Sequence, residues 1–358
     1  MSDSIDRLDE ARALILAYGW NSTAYQLLNP GFALWFSRAG DAMAGYVDRA
    51  GVRVVGGAPV CARERLGEVV HELESDAADA GLRVCYFGAE GRLGELLRDS
   101  PSHAPILLGA QPVWDPHGWE AMVLANASLR AQLNRASNKG VRVSEWPRER
   151  AFGNAELHRC LTEWLGTRGL PPLHFLVEPE TLQRESDRRI FVAERNGMAI
   201  GFVVTSPVPL RNGWLFEQFV RGRNAVNGTA ELMIDAAMRA LAESGAKYVT
   251  LGLAPLSTRA AAASENPLWL RVLLAWMRAH GRRFYNFAGL ERFKAKFRPD
   301  SWEPVYAIVN APSVPPRVLY AIAAAFSAGS PITLLIRGLG RAARQETETL
   351  RKLIKRRQ

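Results

Sequence analysis

The chain has 358 residues, of which 48% are hydrophobic and 23% charged, with a formal net charge of +9. That length suits two modules plus an extension, and the composition excludes a disordered chain. No apolar run reaches the roughly 18–20 residues of a membrane span, and the start MSDSIDRLDE lacks a signal-peptide pattern, so a cytoplasmic protein is expected.

Along residues 1–125, a helical segment near Leu8–Ala17 is followed by strand-like runs at Ala42–Val47, Val52–Val55, Arg83–Phe87 and Pro105–Leu108. Helix-like runs at Arg63–Ala80 and Leu93–Arg98 alternate with them, and glycines at 56, 57, 81, 88 and 91 mark the turns. The pattern is that of an α+β or α/β module. Cys61, Cys85 and Cys160 are scattered without a CxxC, and the six histidines form no HExxH. Buried thiols are expected, rather than a disulfide framework or a zinc site.

Residues 126–140, NASLRAQLNRASNKG, predict a short linker helix that Asn126 or Ser128 can cap and Gly140 can end. Leu129, Leu133 and Ala136 form its narrow apolar stripe. Arg130, Asn134 and Asn138 share one polar strip, and Ser128, Gln132, Arg135 and Lys139 share another. Arg130, Arg135 and Lys139 make it a candidate nucleic-acid contact, with an ordinary solvated linker as the alternative.

Residues 141–310 form the second module. Strands are expected at Val141–Trp146, Ile190–Glu194, Ala199–Ser206, Trp214–Val220 and Lys247–Leu251, with Asn196-Gly197 as a hairpin turn. Helices are expected at Ala155–Arg168, Gly228–Ser244 and Leu268–His280. Antiparallel strands interrupted by a helix and a further strand match an acyltransferase-like α+β module.

Residues 311–358 differ in kind. They carry nine Lys and Arg against Glu346 and Glu348, which is +7 of the total +9. Pro312, Pro315 and Pro316 make a stiff break. Beyond Pro331, an apolar face of Ile332, Leu335, Ile336, Leu339 and Ala343 opposes Arg337, Arg341 and Arg344, the pattern of a helix lying on an anionic membrane surface. Docking on the protein's own body is the alternative.

The chemistry concentrates in Tyr285–Tyr306, YNFAGLERFKAKFRPDSWEPVY, where four cations are crowded among aromatics. Lys294, Lys296 and Arg298 alternate with Phe293, Ala295 and Phe297, so strand-like spacing puts the cations on one face, suited to a phosphodiester. Aromatics nearby can stack on an adenine, but Phe287, Trp302 and Tyr306 are read first as core. Taken with FVRGRNAVNGTAELMIDAAMRA (Phe219–Ala240) and YVTLGLAPLS (Tyr248–Ser257), this segment resembles the C-terminal domain of phosphatidylglycerol lysyltransferases, the catalytic half of the multiple peptide resistance factor. YGWNSTAYQLLNPGFALWF (Tyr18–Phe36) fits the start of that domain, so the resemblance runs to about Asn310.

The resemblance implies two acetyltransferase-like folds in tandem, joined by a basic helix. The implied activity is transfer of an aminoacyl group, lysyl or alanyl, from a charged tRNA to a glycerol hydroxyl of phosphatidylglycerol. No cofactor is expected, and the expected partners are aminoacyl-tRNA, anionic phospholipid and the inner face of the membrane. Full-length relatives carry an N-terminal flippase, and a stand-alone synthase is expected here.

Acetyl-CoA-dependent relatives cradle pyrophosphate on a [Q/R]xxGx[G/A] loop at a helix start. Gly228 and Ala230 fit that loop, but Ala225 stands where Arg or Gln belongs, which argues against CoA and leaves Asn227 and Gly228 for another phosphate or an ester carbonyl. A plain turn and cap is the alternative. Glu217 and Arg221 are expected on one strand face, Glu217 as base or ammonium holder and Arg221 as phosphate binder; an ion pair at a strand end is the alternative. Many relatives carry an acid three residues before this arginine, where this chain has Gln218. Glu231 is a further candidate because it adjoins the loop. A CoA-dependent N-acyltransferase and a non-catalytic membrane- or RNA-binding relative remain the rival readings.

Overall fold

The computed structural model describes residues 2–168, 172–182, 187–259, 266–280 and 286–327. The candidate membrane cations Arg337, Arg341 and Arg344 lie outside the described residues. The first half runs α1 (Ser2–Tyr18), β1 (Ala33–Phe36), β2 (Met43–Arg49), β3 (Val52–Gly56), α2 (Leu66–Asp79), β4 (Arg83–Ala89), α3 (Gly91–Leu97), β5 (Ala104–Trp114) and α4 (Trp119–Leu124). The linker helix α5 spans Ala127–Ser137, and the Asn126 side chain caps it by accepting from the Leu129 amide. Then follow β6 (Arg142–Trp146), α6 (Arg148–Ala151), α7 (Ala155–Gly166), β7 (Arg189–Arg195), β8 (Met198–Val208), β9 (Gly213–Arg221), α8 (Thr229–Glu243), β10 (Tyr248–Thr250) and β11 (Ala254–Pro255). The chain closes with α9 (Leu268–His280), α10 (Phe287–Ala295), β12 (Ser301–Val309) and α11 (Pro316–Phe326).

All the strands join one sheet in the order β1-β2-β3-β4-β12-β5-β10-β9-β8-β7-β6, with β11 on β5. The β3–β4 and β9–β10 pairs are parallel and the others antiparallel. Asn196 and Gly197 both take positive φ at the β7–β8 hairpin, as the short primed turn requires. Although β12 comes from the sequence range of the second module, it lies between β4 and β5 of the first, and β5 pairs onward with β10. The two halves therefore share one continuous sheet.

Alternation along the strands splits the core by face. In the first half, Val55, Val84 and Tyr86 meet Val69, Leu73 and Leu93 of α2 and α3. Val54 and Cys85 point the other way, onto Ile15 of α1 and Val318 and Ala321 of α11. In the second half, Ile190, Val192 and Phe202 pack on Leu157 and Leu161 of α7, while Phe191, Val203 and Phe216 pack on Met233, Ala237 and Leu241 of α8. The three cysteines are all buried as free thiols.

Part of the segment after Asn310 packs on the body: α11, with Pro316 at its first turn, buries Val318, Ala321 and Ala325 in the core beside Val314. One expectation is corrected: residues 293–298 are not a strand. Helix α10 runs to Ala295 and Arg298 closes the turn after it with φ 48°. The sequence from Asn286 to Arg298 contains no β-branched residue, and Asn286 caps the helix by accepting from the Gly289 amide. Phe293 and Phe297, one helical turn apart, meet edge to face at 5.3 Å between centroids. Among the described residues no helix is long and apolar enough to cross a membrane.

Candidate functional site

An open cleft of about 330 Å³ is lined by Ser128, Ala131, Gln132 and Arg135 of α5, Arg221 at the end of β9, and Asn227, Gly228 and Glu231 at the start of α8. Its three walls come from distant stretches of sequence. The strip Ser128, Gln132 and Arg135 faces inward, as its i, i+4, i+7 spacing requires. Gly228 has φ 95°, and a Cβ there would stand 2.2 Å from the Gln132 carbonyl oxygen and 3.2 Å from the Ala136 Cβ. The linker helix is thus seated directly on the start of α8, and only glycine permits that approach.

Gly228→Ala is expected to cost about 2–3 kcal/mol by combining left-handed strain with overlap of backbone, and to open the cleft. Urea unfolding measures it; an unchanged midpoint contradicts the packing role.

Among the described residues, Glu231 is the one acid lining the cleft. It is 9% exposed and accepts a hydrogen bond from Lys296 Nζ, which also donates to Gln132 Oε1 at 3.2 Å. Arg135 and Arg221 make no hydrogen bond or ion pair among the described residues, so the cleft carries two cations free for a ligand. Such an arrangement favours an anion, because unpaired guanidinium groups offer bidentate donors to a phosphate.

The other candidates fall elsewhere. Arg130 Nη1 turns back to the carbonyls of Val123 and Leu124, closing the end of α4. Lys139 is exposed beyond the end of α5, with its carbonyl accepting from Arg195 Nε. Arg298 is exposed and makes a long contact of 3.4 Å to the Ala125 carbonyl.

Glu217 is not in the cleft and does not share a face with Arg221. Val204 pairs with Gln218 and Thr205 with Phe216, so Glu217 is the extra residue of a β-bulge that resets the alternation. Phe216 and Phe219 accordingly stack on one face at 5.6 Å. Glu217 faces Arg188 instead, with Nε to Oε2 at 2.7 Å and side chains 5% and 2% exposed. Asn29 joins both, accepting from Arg188 and donating to Glu217. The neighbouring Gln218 donates to the Glu178 and Pro179 carbonyls and accepts from Thr181, so its buried amide holds a loop.

Lys294 is the largest departure from the expected cationic face. It is 4% exposed, and its Nζ donates to the carbonyls of Leu251, Gly252 and Leu253 at 2.7, 2.7 and 2.8 Å. Burial pulls its pKa down to about 7, while three carbonyls match the three N–H donors of an ammonium. It staples the LGLAPLS segment to α10, which is the physical link between two of the sequence motifs. Lys294→Met keeps the stem and removes the donors. It is expected to cost about 2–4 kcal/mol and to speed hydrogen exchange around Gly252, measured by urea unfolding and mass-resolved exchange.

A second buried polar cluster, which sequence patterning did not expose, joins the halves. Arg211 bridges Glu90 at 3.2 Å and Glu303, and lies over the Tyr248 ring at 3.6 Å. Burial raises the Glu90 carboxyl above its usual range, opposed by the Ser22 hydrogen bond and Arg211. Neither residue belongs to a short motif, and their meeting depends on strand order.

Comparison with known proteins gives the lineage. The family model described as phosphatidylglycerol lysyltransferase, C-terminal, matches residues 12–309. A phosphatidylglycerol lysyltransferase of Bacillus subtilis (strain 168) is 26% identical over 276 residues, 76% of this chain and 31% of that protein. The chain therefore spans about a third of that relative's length. A C-terminal domain named for lysylphosphatidylglycerol synthetase, from Agrobacterium fabrum, has a TM-score of 0.76 at 22% identity, covering 91% of this chain and 98% of that one. L-PGS from Bacillus licheniformis has a TM-score of 0.70 at 21% identity, covering 92% and 95%. The fold is the expected α+β acetyltransferase-like one. With the match extending from α1 through β12, the chain belongs to the family of phosphatidylglycerol lysyltransferase C-terminal domains.

Proposed function

We propose that the chain transfers a lysyl or alanyl group from aminoacyl-tRNA to a glycerol hydroxyl of phosphatidylglycerol at the inner face of the membrane. The observation that carries this reading beyond family membership is the cleft, where Arg135 and Arg221, without a partner among the described residues, stand beside the Glu231–Lys296 pair. In the reaction the lipid hydroxyl oxygen attacks the ester carbonyl carbon, and the ester bond to the ribose breaks. The hydroxyl proton ends on the departing ribose oxygen. The donor ester is already activated, so holding the two substrates in line supplies much of the acceleration. Arg135 and Arg221 bind phosphate, and Glu231 accepts from the α-ammonium or the attacking hydroxyl.

The seating of α5 on Gly228 supports this reading over a CoA-dependent one. The pyrophosphate of CoA would need the start of α8, where the Gln132 carbonyl already packs. Ala225 supplies no side-chain donor to the loop. The test is incubation of the protein with a mixed charged-tRNA pool and phosphatidylglycerol vesicles, followed by mass analysis of the lipids. A lipid gaining the mass of one aminoacyl group is expected. Absence of aminoacyl lipid with every charged tRNA defeats the proposal, as does micromolar binding of acetyl-CoA.

A further inference from the structure

Helix α9 presents two unlike sides. Leu270 is fully buried and Leu274 packs beside it against the core that holds α1 and α11. On the other side Leu268, Trp269 and Val272 are 72%, 46% and 62% exposed, a cluster of large apolar side chains open to solvent. Arg271 is exposed among them. A buried face anchored by Leu270 makes the outward face fixed in direction, so its apolar character is not relieved by rotation of the helix.

The charge around it selects the occupant. The sequence of α9 from Leu268 to His280 carries Arg271 and Arg278 and no acidic residue. A helix that combines apolar side chains, a tryptophan and arginines matches the boundary between acyl chains and anionic headgroups, where the ring sits at headgroup depth and the cations meet phosphate. Residues 328–358 carry eight Lys and Arg against Glu346 and Glu348, so their net charge has the same sign as that of α9.

We propose that the outward face of α9, centred on Leu268, Trp269 and Val272, docks on an anionic lipid bilayer and holds the protein at the surface where its substrate resides. The proposal rests on the lipid-transfer reading above for its purpose, and its evidence is the exposed face. It assigns the apolar part of membrane contact to the folded domain.

The test uses the full chain. Leu268→Cys, labelled with an environment-sensitive fluorophore, is selective because the three native thiols are buried. Emission is expected to shift to the blue with phosphatidylglycerol vesicles and to stay unchanged with phosphatidylcholine vesicles. Trp269→Ser with Val272→Ser is expected to weaken sedimentation with anionic vesicles about tenfold, with an unchanged urea midpoint because both residues are exposed. Transfer to detergent-dispersed phosphatidylglycerol should persist in that variant. No emission change on anionic vesicles, or sedimentation equal to the wild type, overturns the proposal. So does blue emission already present without vesicles and unaltered by them, since the chain itself then covers the face. If no protein transfers an aminoacyl group in either lipid format, the activity reading alone fails, and the sedimentation result still decides the docking.

Discussion

Arg221→Ala is expected to lower lipid aminoacylation about 100-fold while leaving the urea unfolding midpoint within experimental error. Arg221 closes β9, is exposed, and has no ion partner among the described residues. Its removal therefore leaves no buried group unsatisfied and costs little stability. A guanidinium that gives charge-assisted, bidentate bonds to a phosphate, and strengthens them as charge develops, accounts for about 2.7 kcal/mol, the equivalent of that factor. Arg221→Lys should recover part of the loss, since a point charge remains while the fork geometry does not. The measurement is the initial rate of aminoacyl-lipid formation across lipid concentrations. A rate within twofold of the wild type for Arg221→Ala would remove this cleft from the reaction.

Glu217→Ala is expected to do the opposite: to destabilise the fold by about 3–5 kcal/mol and leave the rate per folded molecule near the wild-type value. The Arg188–Glu217 pair is almost wholly buried, and removing one partner strands a charge in a low-dielectric site. Asn29, from the first half of the chain, hydrogen-bonds both partners, so the loss is also felt at the contact between halves. Nearby, Arg12 and Tyr25 of the first half hold Asp187, which lowers that carboxyl below its usual range even though burial alone would raise it. The readout is a urea unfolding curve beside a rate measured below the transition. Loss of transfer with an unchanged midpoint would return Glu217 to the chemistry.

The contrast between Arg221 and Glu217 shows where sequence reading succeeds and stops. Strand β9 itself was legible as the aromatic- and aliphatic-rich run Trp214–Val220. The bulge was not, because one extra residue leaves composition unchanged and only register against β8 exposes it. The same limit applies to FKAKF. A polar–apolar alternation of six residues satisfies a strand, yet it also satisfies a helix end on which Phe293 and Phe297 lie one turn apart. The cap at Asn286 and the absence of β-branched residues were the available signals for the helix.

The candidate site was legible in part for a similar reason. The linker strip of Ser128, Gln132 and Arg135 followed from helical spacing, and the Asn227-Gly228 turn followed from local residue types. That the strip sits on the turn depends on the seating of α5 against α8, which no local pattern encodes.

The sequence by itself determined the elements, the family resemblance, the linker helix and the cationic character of the chain, because these depend on neighbours within a few residues or on composition. The tertiary structure alone decided which cations are usable. Lys294 is spent inside a cage of carbonyls and Lys296 is paired with Glu231, while Arg135 and Arg221 are left facing a cleft. The physical reason is that a charge's role is set by its desolvation and its partners. Both are fixed by contacts between residues far apart in sequence, here across a single sheet in which β12 crosses back into the first half.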